Sequence, residues 1–201
     1  MRPVGERLAA EYPQALVASL RASQPTAPGA GYQWFAIDAV DDEQRVERIA
    51  GVLPAFVAAV GHWQQVAQVG AEATVLIGFS QGAIMVLEAA SQGGEAALAG
   101  RVVALAGCYA TLPQAAPVDT TVFLLHGKAD SVTPCGCTVA GSQHLAALGA
   151  DVVTDVLPSV GHEIHGDMLD LVVRRLKTHV PKRHWEAALR QGVPPSGGGV
   201  Q

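Results

Sequence analysis

Short, almost unbroken runs of apolar and β-branched residues alternate along the chain with longer stretches in which apolar side chains recur every three or four positions. The runs at 15–19, 74–77, 102–106, 121–125 and 151–157 predict five strands. Because these runs lack an apolar/polar alternation, they predict strands covered on both faces. Strands interleaved with helical stretches predict an α/β fold with a mostly parallel sheet flanked by helices on both faces.

The helical stretches have recognisable ends. Asp41 and Asp42 are N-cap candidates for a helix to about residue 69, in which Pro54 predicts a kink or a division. A helix carrying Ala83, Ile84, Val86 and Leu87 follows, ended by Gln92-Gly93-Gly94. Residues 143–148 form another, closed by Gly149, and 164–179 a last long one with Ile164, Met168, Leu171, Val172 and Leu176 inward. The segment before Tyr12 has helical character without a cap. The Gly- and Pro-rich 194–201 stretch predicts a disordered tail, leaving one domain over 1–193.

Composition narrows the function classes. The 201 residues are 49% hydrophobic and 15% charged, enough for one substantial core. A net charge of -5 provides no basic excess to attract nucleic acid or anionic lipid, so the expected partner is a small, mostly apolar molecule. No run is read as approaching the roughly 20 apolar residues of a membrane span, and no signal-peptide order appears at the N-terminus. Cys108, Cys135 and Cys137 are too few and too uneven for a disulfide framework, which with the preceding points predicts a cytoplasmic protein.

The chemistry centres on Gly78-Phe79-Ser80-Gln81-Gly82, which lies between the strand at 74–77 and the helix that follows. A serine on such a turn has strained backbone, glycines on either side permit close approach, and the helix N-terminus faces its oxygen. A serine hydroxyl needs a base, and the base needs an orienting acid. Asp130 falls just beyond the strand at 121–125 and His162 just beyond that at 151–157, so three loops converge at the carboxyl ends of the strands. Ser, Asp, His is the chain order of α/β-hydrolases. His165 reads as a rim residue, His126 as a packed, hydrogen-bonded histidine, and Asp119 and Asp155 as strand-edge or solvent-facing. Cys135-Gly136-Cys137 has the wrong spacing for a metal site, and no phosphate-cradling loop signals a cofactor.

These residues resemble the phospholipase/carboxylesterase family, which includes acyl-protein thioesterases, and in particular its bacterial esterases. The resemblance runs from about Gly5 to Gly192 through Tyr12-Pro13-Gln14-Ala15-Leu16-Val17, Gln33-Trp34-Phe35, Ile77 to Ala83, His126-Gly127-Lys128-Ala129-Asp130 and Gly161-His162-Glu163-Ile164. It implies hydrolysis of carboxylic esters or thioesters through Ser80, Asp130 and His162. It also implies an oxyanion-hole N–H from Gln81 and a pocket near Trp34 and Phe35, although core packing explains those two aromatics equally well.

One departure qualifies the resemblance. Members of the family begin with an apolar strand ending in a His-Gly turn that supplies the second oxyanion-hole N–H, and no segment before Tyr12 matches it. Without that strand, the neighbours at 15–19 and 74–77 would have to close on each other or leave buried backbone groups unpaired, at roughly 1 to 3 kcal/mol each. The expectation is a chain truncated at its N-terminus, with Met1 internal to a longer reading frame. Two functions follow: a serine esterase, or an impaired hydrolase scaffold that only binds a partner.

Overall fold

The computed structural model describes residues 1–26, 31–37, 41–92 and 96–192. Helix α1 (Arg2–Glu11) is followed by a two-residue antiparallel pair, β1 (Gln24–Pro25) and β2 (Tyr32–Gln33). Then come α2 (Asp42–Ala67), β3 (Val75–Phe79), α3 (Gln81–Ala90), β4 (Arg101–Leu105) and β5 (Thr121–Gly127). Helix α4 (Gly136–Ala147), β6 (Asp151–Leu157), α5 (Gly166–Thr178) and α6 (Lys182–Gly192) complete the order.

Strands β3 to β6 form a four-stranded parallel sheet in sequential order. Alternate residues of these apolar strands enter two different cores. Val102, Ala104, Val122 and Leu124 face α2, α3 and α4 with Ile49, Phe56, Met85 and Leu145, whereas Val103, Leu105, Phe123 and Leu125 face α1 and α5 with Val4, Met168 and Val172. The expected sheet with helices on both faces is therefore present. Its parallel strands all point their carboxyl ends at one rim.

The run at 15–19 is not a strand. A strand needs a ladder neighbour, and a cavity of about 400 Å³ lies between residues 15–20 and the outer edge of β3, roofed by Val4, Leu8, Phe56 and Val86. Apolar composition alone could not reveal the missing neighbour. Helix α2 also departs from expectation, running through Pro54 as one helix. The proline removes a backbone donor, a loss of about 3 kcal/mol in an exposed helix. The stripe Ile49, Leu53, Phe56 and Val60, buried on both sides of it, offsets that loss. This helix is long and apolar enough to cross a membrane by length and composition, contrary to the reading of the sequence, yet that stripe packs in the core.

Other boundaries shift for local reasons. Helix α3 ends at Ala90, and Gly93 and Gly94 lie outside the described residues. Helix α4 starts seven residues before the expected 143, its first turn hidden by glycine and cysteine, while Gly149 closes it with φ +80°. Ile164 precedes α5 instead of opening it but still packs on the second core. Helix α6 was not anticipated, and 194–201 lie outside the described residues.

Candidate active site

Ser80 joins β3 to α3 with φ +54° and ψ -118°, a conformation that side-chain-bearing residues rarely adopt. Its N–H donates to Leu105 O at 2.9 Å, and Ala83 N and Ile84 N donate to its carbonyl at 3.0 and 3.2 Å. These bonds hold the turn against its strain. A Cβ on Gly78 would lie 2.0 Å from Gly82 O, so Gly78 must be glycine. A Cβ on Gly82 would meet only Trp34 Nε1, at 3.9 Å. The close approach thus depends on the first glycine of the motif and on the backbone of the second. The N–H groups of Gln81 and Gly82, in the first turn of α3, have no backbone acceptor among the described residues.

Asp130 follows β5, and its carboxylate is wholly buried. Oδ1 accepts from Val132 N and Thr133 N, each at 2.8 Å, and Oδ2 lies 2.7 Å from His162 Nδ1. Burial pushes its pKa up. The Thr133 N–H, the His162 ring and the Val132 N–H outweigh burial and hold the carboxyl below its ordinary range. His162 packs against Phe79 at 5.0 Å between ring centroids, and its Nε2 is 3.0 Å from Ser80 Oγ. Since a carboxylate only accepts, Nδ1 carries the proton shared with Asp130 and Nε2 is free to accept from the serine hydroxyl. The structure therefore brings Ser80, His162 and Asp130 into one hydrogen-bonded line at the carboxyl rim of the sheet.

Gln81 has a side-chain role that the sequence did not disclose. Its Oε1 accepts from Trp34 N at 2.9 Å and its Nε2 donates to Phe35 O at 3.0 Å, clamping that segment to the serine turn. Trp34 and Phe35 consequently line the cavity of about 1000 Å³ that opens on Ser80. Phe35 is also a core residue, and Trp34 packs edge-on against Phe56 with centroids 5.3 Å apart. These two aromatics thus combine core packing with a place in the cavity wall.

The opposite wall is the loop after β4. Glu88 accepts from Ala110 N at 2.7 Å and Thr111 N at 3.2 Å, and burial raises its pKa despite those donors. Tyr109, hydrogen-bonded to Ser91 at 3.2 Å, is pushed up to about 12 by burial. Cys108 in this loop is disulfide-bonded to Cys137 in the first turn of α4, with Cα atoms 5.9 Å apart, and Cys135 is free. The sequence predicts no disulfide framework, and one bridge is present: its two partners are 29 residues apart in sequence, and only the sheet brings them together.

The rival residues lie outside the line of Ser80, His162 and Asp130, although His126 touches its acid. His126 is fully buried and hydrogen-bonded, as expected. His165 is the half-buried N-cap of α5, accepting from Asp167 N at 3.2 Å. Asp155 lies on β6, at the edge of the sheet, but does not face solvent, for Arg175 binds it through two nitrogens at 2.6 and 2.9 Å. Asp119 sits in a turn with φ +44°, its carbonyl accepting from Arg183 at 2.8 Å.

Comparison with known proteins places this geometry in a lineage. The chain is 39% identical over 194 residues to esterase YpfH of Escherichia coli (strain K12), covering 96% of this chain and 83% of that one. It is 32% identical over 120 residues to acyl-protein thioesterase 1 of Gibberella zeae, covering 56% and 51%. In fold it is similar to the crystal structure of esterase PE8, with a TM-score of 0.78 at 23% identity over 89% of this chain and 85% of that one. A carboxylesterase from Mesorhizobium loti gives 0.72 at 21% identity over 88% and 81%. The sequence profile of the phospholipase/carboxylesterase group matches residues 13–180, and the chain therefore belongs to the phospholipase/carboxylesterase family of hydrolases.

Proposed function

We propose that this protein hydrolyses carboxylic esters, thioesters among them, through an acyl-enzyme on Ser80. The observation that carries the reading is the unbroken line Ser80 Oγ to His162 Nε2 at 3.0 Å and His162 Nδ1 to Asp130 Oδ2 at 2.7 Å. His162 Nε2 takes the serine proton as Oγ attacks the acyl carbon, and the carbonyl π pair moves onto oxygen. The Gln81 N–H and the positive end of α3 stabilise that oxyanion. Collapse expels the alcohol or thiol, which receives the proton from His162, and water then repeats the cycle to release the acid. Asp130 holds the ring in the tautomer required and stabilises its imidazolium. Trp34 and Phe35 form the wall for the acyl or alcohol group of a small, mostly apolar substrate.

The test is labelling by a fluorophosphonate with peptide mapping, alongside turnover of p-nitrophenyl acetate. Label on Ser80, with turnover lost in Ser80→Ala, is the expected result. Full turnover in Ser80→Ala would reject the nucleophile, and a folded protein that takes no label would favour a binding role instead.

A further inference from the structure

We propose that His126 is a positioning residue that fixes the Asp130 carboxylate toward His162, a role that rests on the reading of Ser80, His162 and Asp130 given above. His126 is completely buried at the end of β5, between the 130–133 turn and α4. Its Nε2 lies 2.9 Å from Thr133 O and 3.2 Å from Asp130 Oδ2, and its Nδ1 lies 2.6 Å from Thr138 Oγ1.

These contacts choose the tautomer. A carbonyl oxygen and a carboxylate oxygen only accept, so the nitrogen facing both must carry the proton. In the neutral ring Nδ1 is then the acceptor, and the Thr138 hydroxyl donates to it at 2.6 Å, the other acceptor near that hydroxyl, Gly107 O, being farther away at 3.3 Å. Thr138 in this way sets which edge of the His126 ring can donate.

The donating edge spans both halves of the acid turn. It holds Thr133 O while Thr133 N grips Asp130 Oδ1 at 2.8 Å, and it brings a positive N–H edge beside Oδ2, the oxygen that orients His162. Asp130 Oδ1 is thereby braced through Thr133, with the His126 N–H edge 3.2 Å from Oδ2, and loss of His126 loosens the turn that aims Oδ2 at His162. Small misplacements of a reacting group are expensive in rate, about 100-fold for roughly 1 Å.

A double-mutant cycle tests this. Turnover of p-nitrophenyl acetate and the rate of fluorophosphonate labelling are measured for the wild type, His126→Phe, His126→Gln, Asp130→Asn and the two double variants, with circular dichroism to check folding. In the Asp130 background His126→Phe should lower kcat about 10- to 100-fold with KM little changed, and His126→Gln, which retains a donor, should recover part of the loss. In the Asp130→Asn background the same replacement should cost less than about threefold, because the residue through which it acts is already impaired. Should His126→Phe fail to fold, Thr138→Val takes its place with the same cycle, and a smaller kcat loss confined to the Asp130 background is expected. Equal losses in both backgrounds, or a change in KM alone, would overturn the role of His126. A wild type that neither reacts at Ser80 nor turns over ester defeats the reading of Ser80 itself, and this role with it; a labelled, active wild type with additive losses defeats only His126.

Discussion

His162 Nδ1 lies 2.7 Å from the buried Oδ2 of Asp130, and this one contact determines that the opposite nitrogen faces Ser80 without a proton. Asp130→Asn keeps the shape but can present an amide N–H where an acceptor is required, favouring the wrong tautomer of His162. Turnover should fall roughly 10³- to 10⁴-fold with the fold retained. Steady-state kinetics beside thermal unfolding checks both halves of the statement, and a loss below about tenfold would remove Asp130 from the site.

The two glycines flanking the serine should respond differently. A Cβ on Gly78 would strike Gly82 O at 2.0 Å, whereas on Gly82 it would have ordinary clearance at 3.9 Å. Gly78→Ala should therefore destabilise by more than about 3 kcal/mol or prevent folding. Gly82→Ala, in the first turn of a helix, should stay within about 1 kcal/mol of the parent. Urea titrations of the two variants distinguish them, and equal midpoints would contradict the packing described.

Acid sensitivity can be derived from Asp151, at the start of β6. Burial raises its pKa, but Thr121 Oγ1 at 2.7 Å, Lys182 N at 2.9 Å and His179 Nε2 at 3.0 Å more than compensate, leaving it lowered. A carboxyl whose folded pKa is below its unfolded value of about 3.9 stabilises the protein above that pH, and the contribution disappears as pH falls through the folded pKa. The stability gap between the wild type and Asp151→Asn should thus be widest above about pH 4 and shrink on acidification. Urea unfolding over a pH series measures it; a constant gap down to about pH 2 would be inconsistent with the lowered pKa.

Thiol chemistry offers a direct count. With Cys108 bound to Cys137, the unreduced, denatured protein should expose one reactive thiol, from Cys135. Reduction should expose the other two and lower stability by about 2 to 4 kcal/mol, since the bridge closes a loop of intermediate length. Three thiols before reduction would show that the bond does not form in solution.

Much of this architecture was legible because its signals are local. Gly78 to Gly82 declares a strand, a tight turn and a helix within one short motif, and the apolar runs of β4 and β5 state their own burial, whereas β6, at the sheet edge, is only half-buried. Asp130 and His162 could be placed at the carboxyl ends of strands because each follows such a run. What stayed hidden depends on distant partners. Helix α2 passes Pro54 because buried side chains on either side hold it. Cys108 with Cys137, and Gln81 with Trp34, meet only after the sheet has formed.

The bare outer edge of β3 divides the molecule in time as well as in space. Strands β4 and β5 have ladder neighbours on both sides, so their amides should exchange with solvent hydrogen only when the whole sheet opens. Among the described residues the N–H groups of 16–20 have no backbone acceptor, and they should exchange orders of magnitude faster. Ser80 stands on the boundary. Its turn is anchored to Leu105 on the slow side, and the cavity wall at Trp34 and Phe35 is held there too, by the side-chain amide of Gln81, by Phe56 and by the core. The Ser80 turn can therefore persist while the stretch at 16–20 opens and recloses.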